Sequence, residues 1–141
     1  MSHDVDWSFN GPGRNHILAR KDRCEEDTLR KLERENPYNN IHDYIAIEED
    51  LGLRSTFFFR TNYENGRLIE HEDDIQALLN GGREVGLHCN PFSVDNFDSM
   101  RQEKKGLESI TKKTVKANRS HHLAFSERLP SISELSHLCE Y

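Results

Sequence analysis

At 141 residues the chain is the size of a single domain. With 34% hydrophobic residues, 31% charged residues and a mean hydropathy of −0.87, it is short of the material for a large core. A net charge of −6 and a pI near 5.7 argue against nucleic acid or an anionic membrane as its main partner; no apolar run reaches bilayer length, and no charged-then-apolar signal segment opens the chain.

The opening stretch Met1-Ser2-His3-Asp4-Val5-Asp6-Trp7 places two carboxylates one residue apart. Val5-Asp6-Trp7 reads as the end of a β-strand, yet strands commonly run about five or six residues and Met1 lies only three before Asp4. The expectation is therefore that sequence is missing upstream. Asn10-Gly11-Pro12-Gly13 is a turn by composition. Residues 20–35 alternate charges of both signs around Leu29 and Leu32, the pattern of a solvated helix that Asn36-Pro37 ends.

Asn39 or Asn40 offers an N-cap to a second helix, with Ile41, Tyr44, Ile45 and Leu51 as its apolar stripe and Gly52 at its C-terminal cap. Residues 55–59, Ser-Thr-Phe-Phe-Phe, predict a strand buried on both faces. After a polar turn over 62–66, Asp73 and Asp74 begin a third helix carrying Ile75, Leu78 and Leu79, and Gly81-Gly82 stops it. Glu84-Val85-Gly86-Leu87-His88 is the next strand. A long helix over 96–114 follows, with Met100, Leu107 and Ile110 on one side. Seven Lys or Arg fall between Arg101 and Arg119, but without interleaved aromatics they read as a solvated face rather than a nucleic-acid surface. Residues 119–125 suggest a fourth strand, and Ser133 a cap for a last helix.

Alternating strands and helices predict an α/β fold with a parallel sheet and crossover helices, open or closed into a barrel. Sites in such folds gather where strands end, and Asp4/Asp6, His88 and His121 all fall there. One carboxylate of the Asp pair can ligate a divalent metal while the other takes a proton from water, although a lone Asp-x-Asp is more often a loop or cap. Neutral imidazole at His88 is a good zinc ligand, with a satisfied structural histidine as the plainer reading. His121 and His122 are vicinal on an expected strand, so their rings should point to opposite faces and at most one enters the site. The same alternation turns Cys89 away from His88. His3, His16, His42, His71 and His137 have no partner spacing and read as ordinary polar residues. Cys24, Cys89 and Cys139, odd in number and without a Cys-x-x-Cys pair, suggest free thiols in a reducing compartment, hence a cytoplasmic location.

Taken in order, His3-Asp4-Val5-Asp6-Trp7, Gly52-Leu53-Arg54-Ser55-Thr56-Phe57-Phe58-Phe59, Glu84-Val85-Gly86-Leu87-His88 and Arg119-Ser120-His121-His122-Leu123 resemble the polysaccharide deacetylase family (the NodB-homology group, carbohydrate esterase family four), in the branch whose first motif reads HDVD. The resemblance implies a distorted (β/α) barrel and a divalent metal, usually zinc, that serves hydrolysis of an N-acetyl or related amide on a sugar. It implies Asp4 as catalytic base, Asp6, His88 and His121 as metal ligands, and Arg119 as a substrate-binding residue of the R-x-H-x-L segment. The family's second histidine, four residues after the first, is replaced here by Phe92, so either His121 completes the ligand set, as expected here, or the metal site is impaired. On this comparison residues 1–141 form one partial domain, about the first half of a barrel and incomplete at both ends. A truncated non-catalytic remnant, or a metal- or sugar-binding module without turnover, is the alternative. Unpaired sheet edges would favour self-association.

Overall fold

The computed structural model describes residues 1–8, 10–12, 15, 16, 19 and 38–124. The expected helices at 20–35 and after Ser133, with Cys24 and Cys139, lie outside these residues.

A four-stranded parallel sheet organises the fold. Its strands are β1 (Ser2–Val5), β2 (Thr56–Phe59), β5 (Glu84–Cys89) and β6 (Asn118–Ser120), lying side by side in chain order. The register pairs Asp4 with Phe58, Phe58 with Gly86, and His88 with Arg119. Between β2 and the next helix an antiparallel hairpin, β3 (Asn62–Tyr63) and β4 (Gly66–Arg67), leads into a 3-10 turn at Leu68–His71. Among the described residues three helices lie in the crossovers: α1 (Ile41–Asp50), α2 (Glu72–Asn80) and α3 (Phe97–Thr111).

Alternation divides the sheet into two chemically different faces. Phe57, Phe59, Val85, Leu87 and Cys89 turn toward the helices and form one core with Ile41, Ile75, Leu78, Met100, Leu107 and Ile110. Burying each large apolar side chain contributes roughly 1.5–3 kcal/mol, which makes this layer the main stabiliser. The opposite face carries Ser2, Asp4, Phe58, Gly86, His88 and Arg119. A parallel sheet with helices on one side and polar groups on the other is the half-barrel the sequence predicts.

Several local expectations change. The first strand comprises Ser2–Val5, paired with β2, and Thr56 N donates to the Met1 carbonyl oxygen. The motif residues are themselves that strand. Leu51 is exposed and outside the apolar stripe of α1; the buried positions are Ile41 and, against expectation, Glu48. Asn40 occupies the N-cap of α1 without a side-chain capping bond, whereas Asn96 caps α3 by accepting from Ser99 N. Helix α3 ends at Thr111, three residues early, where Lys112 takes a left-handed φ of 54°. Its basic face is not wholly solvated, since Lys104 is buried, 3.4 Å from Glu108. The strand expected over 119–125 stops at Ser120 and becomes a 3-10 turn, His121–Leu123.

Candidate metal centre

Asp6, His88 and His121 arrive from three strand ends. Asp6 follows β1, His88 is the fifth residue of β5, and His121 follows β6. Asp6 Oδ1 lies 3.1 Å from His88 Nε2 and 3.1 Å from His121 Nδ1, and the two nitrogens are 3.0 Å apart. Three ligand-type atoms thus form a nearly equilateral triangle.

The proton inventory of this triangle is short. His88 Nδ1 donates to the Arg119 carbonyl oxygen at 3.1 Å, so a neutral ring keeps its lone pair on Nε2, aimed at Asp6. Asp6 Oδ1 is shielded from solvent yet, among the described residues, accepts no well-directed hydrogen bond. With His121 protonated on Nδ1, a hydrogen bond to His88 Nε2 holds the pair; with the proton on its other nitrogen, three lone pairs converge, an arrangement that a cation among them would stabilise. The point equidistant from all three atoms lies about 1.8 Å from each, and zinc prefers ~2.0–2.1 Å to nitrogen and carboxylate oxygen, so the spacing of these atoms would suit such an ion. Two imidazoles and one carboxylate are a familiar donor set for a hydrolytic zinc site, and a backbone carbonyl behind the His88 ring is the usual outer support for such a ligand. The residues fit a divalent cation.

Electrostatics favour an ionised Asp6 and a neutral His121. The His88 imidazole beside Asp6 holds its carboxyl below the ordinary value; burial opposes this, and the charges of His88, His121 and Arg60 add to it. Burial pushes His121 down, helped by Arg60 and opposed by Asp6. An ionised carboxylate and a neutral imidazole are what a metal requires.

Asp4 stands one pleat back on the same face, its Oδ1 accepting from Arg119 Nη1 at 2.8 Å. Arg119 Nη2 donates to Ser2 Oγ at 2.6 Å, and the guanidinium lies 4.6 Å above the Phe58 ring. Phe58 in turn occupies the space a side chain at Gly86 would need, 2.6 Å from the position of its Cβ. Residue 119 therefore joins both halves of the site: its side chain holds Asp4 and its carbonyl holds His88. A cleft of about 440 Å³ beside β1 is lined by Asp4 and Asp6 together with Trp7, Tyr38 and Tyr44.

Phe92, at the position where the resemblance expects a second histidine, is 89% exposed and outside the triangle. His121 and His122 do not point to opposite faces. His122 adopts φ 58°, breaking the strand, and its ring lies 3.9 Å from that of His121. Cys89 is buried, which pushes its thiol pKa up, and it contacts Ser120. It has none of the electropositive surroundings of a nucleophile.

Three groups escaped sequence reasoning. Arg60 follows β2 directly and donates to Asn90 Oδ1 at 3.0 Å; the strand-end rule that flagged Asp6 and His88 applies equally to it. Glu48, buried, pairs with Arg83 Nε at 2.7 Å, accepts from Ser55 Oγ and lies 3.2 Å from His3 Nε2, tying β1 to α1 and β5. His71, read as an ordinary polar residue, is 2% exposed and bonded at both nitrogens. No signal in the local sequence marks these last two.

No protein-family model matches the sequence, and no curated protein matches it. Solved structures do. An assigned polysaccharide deacetylase from Mycobacterium smegmatis is 17% identical, with a TM-score of 0.62 over 98% of this chain and 47% of its own. The Xyl-CE4 domain of a multidomain xylanase from the hindgut metagenome of Trinervitermes trinervoides is 18% identical, with a TM-score of 0.51 over 66% of this chain and 47% of its own. A CE4 family pseudoenzyme from Bacillus anthracis is 14% identical, with a TM-score of 0.55 over 94% of this chain and 38% of its own. The chain therefore has the parallel-strand fold of the CE4 polysaccharide deacetylases and spans less than half the length of each of these structures. Among the described residues no helix is long and apolar enough to cross a membrane.

Proposed function

We propose that this chain carries the metal-binding face of a hydrolase of the polysaccharide deacetylase type, which removes N-acetyl or related acyl groups from a sugar with a divalent metal, zinc by preference. The observation that carries this reading is the triangle of Asp6 Oδ1, His88 Nε2 and His121 Nδ1, with Asp4 on the same face. Asp6, His88 and His121 would hold the metal. Bound there, a divalent ion supplies Lewis acidity toward the acyl carbonyl and lowers the pKa of a coordinated water. Asp4, which lines the cleft, acts as the general base that accepts the water proton, and Arg119 fixes the direction of the Asp4 carboxylate with one nitrogen. Trp7, Tyr38 and Tyr44 give that cleft flat apolar walls suited to a pyranose ring.

A second reading has one observation in its favour: the same fold is carried by the B. anthracis pseudoenzyme, a mutant of which is described as having restored enzymatic activity. On that reading the chain is a metal- or sugar-binding module, or a remnant, without turnover. Acetate release from an acetylated chito-oligosaccharide, measured after chelation and again after zinc is restored, separates the two. Zinc-dependent release that disappears in Asp4→Asn supports the hydrolase. Zinc binding with no acetate supports the module, and neither binding nor release supports the remnant.

A further inference from the structure

Asp6 lies beyond the last residue of β1, an edge strand whose single neighbour in the described sheet is β2. No sheet bond orders residues 6–8, yet the metal triangle requires Asp6 to be fixed. The main chain on both sides of it is gripped by one segment, the β3–β4 hairpin and the turn that follows. Tyr63 Oη donates to the Val5 carbonyl oxygen at 3.3 Å. His71 Nε2–H donates to the Trp7 carbonyl oxygen at 3.1 Å, a carbonyl being able only to accept. Ser8 Oγ donates to the Asn65 carbonyl oxygen, and the Ser8 side chain fills the space where Gly66 would carry a Cβ.

His71 is the centre of this grip. Its ring lies 5.6 Å from those of Phe59 and Tyr63, and its other nitrogen, Nδ1, meets Asp74 Oδ2 at 2.9 Å. Asp74 Oδ1 reaches His42 Nε2 at 3.0 Å on the surface of α1. A buried ring with a polar partner at each nitrogen cannot tilt without leaving a polar group unsatisfied, which costs roughly 1–3 kcal/mol. It touches none of the metal ligands and does not itself line the cleft, so the proposed hydrolysis does not use it directly.

We propose that His71 is a positioning residue for Asp6: oriented by Asp74, it anchors the Trp7 carbonyl and so fixes how Asp6 presents its carboxylate to His88 and His121. This rests on the metal-centre reading of Asp6. His71→Gln keeps an amide N–H near the reach of Nε2, whereas His71→Asn keeps one only near Nδ1. Hydrogen exchange of the amides at residues 6–8 in the metal-free protein, and the visible spectrum of the Co²⁺-loaded protein, are compared across wild type and both variants. The expected result is exchange faster by roughly five- to tenfold in His71→Asn, confined to residues 6–8, with an altered cobalt spectrum. His71→Gln stays close to wild type in both, and the two variants melt at similar temperatures. Variants alike in exchange, or acceleration spread over the whole sheet, would overturn the proposal. Should wild type give no cobalt spectrum, the metal reading falls and the exchange comparison alone decides the grip. Should neither variant fold, ring-nitrogen NMR of wild type decides: a solvent-protected Nε2–H on His71 is expected, and an unprotected one refutes the anchor.

Discussion

Replacing Arg83 with methionine tests the buried ion pair that holds β1 in place. Arg83 and Glu48 are each 3% exposed, with Nε and Oε2 2.7 Å apart, and Arg83 Nη2 also donates to the Ile45 carbonyl oxygen at 2.9 Å. Methionine fills much of the same volume but leaves the Glu48 carboxylate with only Ser55 and His3 as partners. Removing one member of a buried pair costs about 3–5 kcal/mol, a large part of the roughly 5–15 kcal/mol that holds a domain together. At roughly 2–4 °C per kcal/mol, the melting temperature should fall by about 6–20 °C. Urea unfolding of the metal-free protein measures the loss directly. In the double variant Glu48→Leu/Arg83→Met no charge is left stranded, and most of the stability should return. A loss below about 1 kcal/mol in the single variant, or no recovery in the double, would refute the reasoning, since water would then have to reach the pair.

Arg119→Lys should lower kcat/KM by about tenfold to a hundredfold with little change in melting temperature, because one ammonium cannot serve Asp4 and Ser2 together while lying flat on Phe58. Kinetics and calorimetry of one preparation check both halves. Gly86→Ala drives a methyl into the Phe58 ring and within 3.1 Å of the Ala117 carbonyl oxygen, and should cost about 1–3 kcal/mol in urea unfolding. Acidification should destabilise the metal-free protein in two stages. His121, its pKa lowered, favours the neutral ring, so its contribution is full above the ordinary histidine value of about 6.5 and is lost as pH falls through its lowered value. Asp6 and Glu48, held below the ordinary carboxylate range, contribute fully above that range and lose their contribution as pH falls through their lowered values. For Glu48 burial alone would raise the value, and the donors Ser55, Arg83 and His3 more than reverse it. His121→Gln should remove the first stage and keep the second; an unchanged profile in that variant contradicts the assignment.

That the sheet is parallel was legible because alternating strand and helix patterns leave few topologies open, and a parallel sheet brings its strand ends together. That is why residues as distant as Asp6, His88 and His121 could be grouped before any distance was known. At β1 the motif residues themselves form the strand, paired along Phe57-Phe58-Phe59. Helical periodicity misled in α1: it places Tyr44 and Leu51 inward, but the helix turns Glu48 inward to meet Arg83, and both apolar residues stay exposed. No periodicity contains that information, because the partner lies 35 residues away in the sequence. The expected opposition of His121 and His122 rested on a continuing strand, and the left-handed residues His122 and Leu123 remove that premise.

Calorimetric titration of the chelator-treated protein with zinc, on wild type and on Asp6→Ala, addresses the metal centre most directly. The account predicts one tight site in wild type, with affinity at least a hundredfold lower when the carboxylate is gone, since one of three protein ligands has been removed. Equal binding by the two proteins, or no binding by wild type, would contradict it.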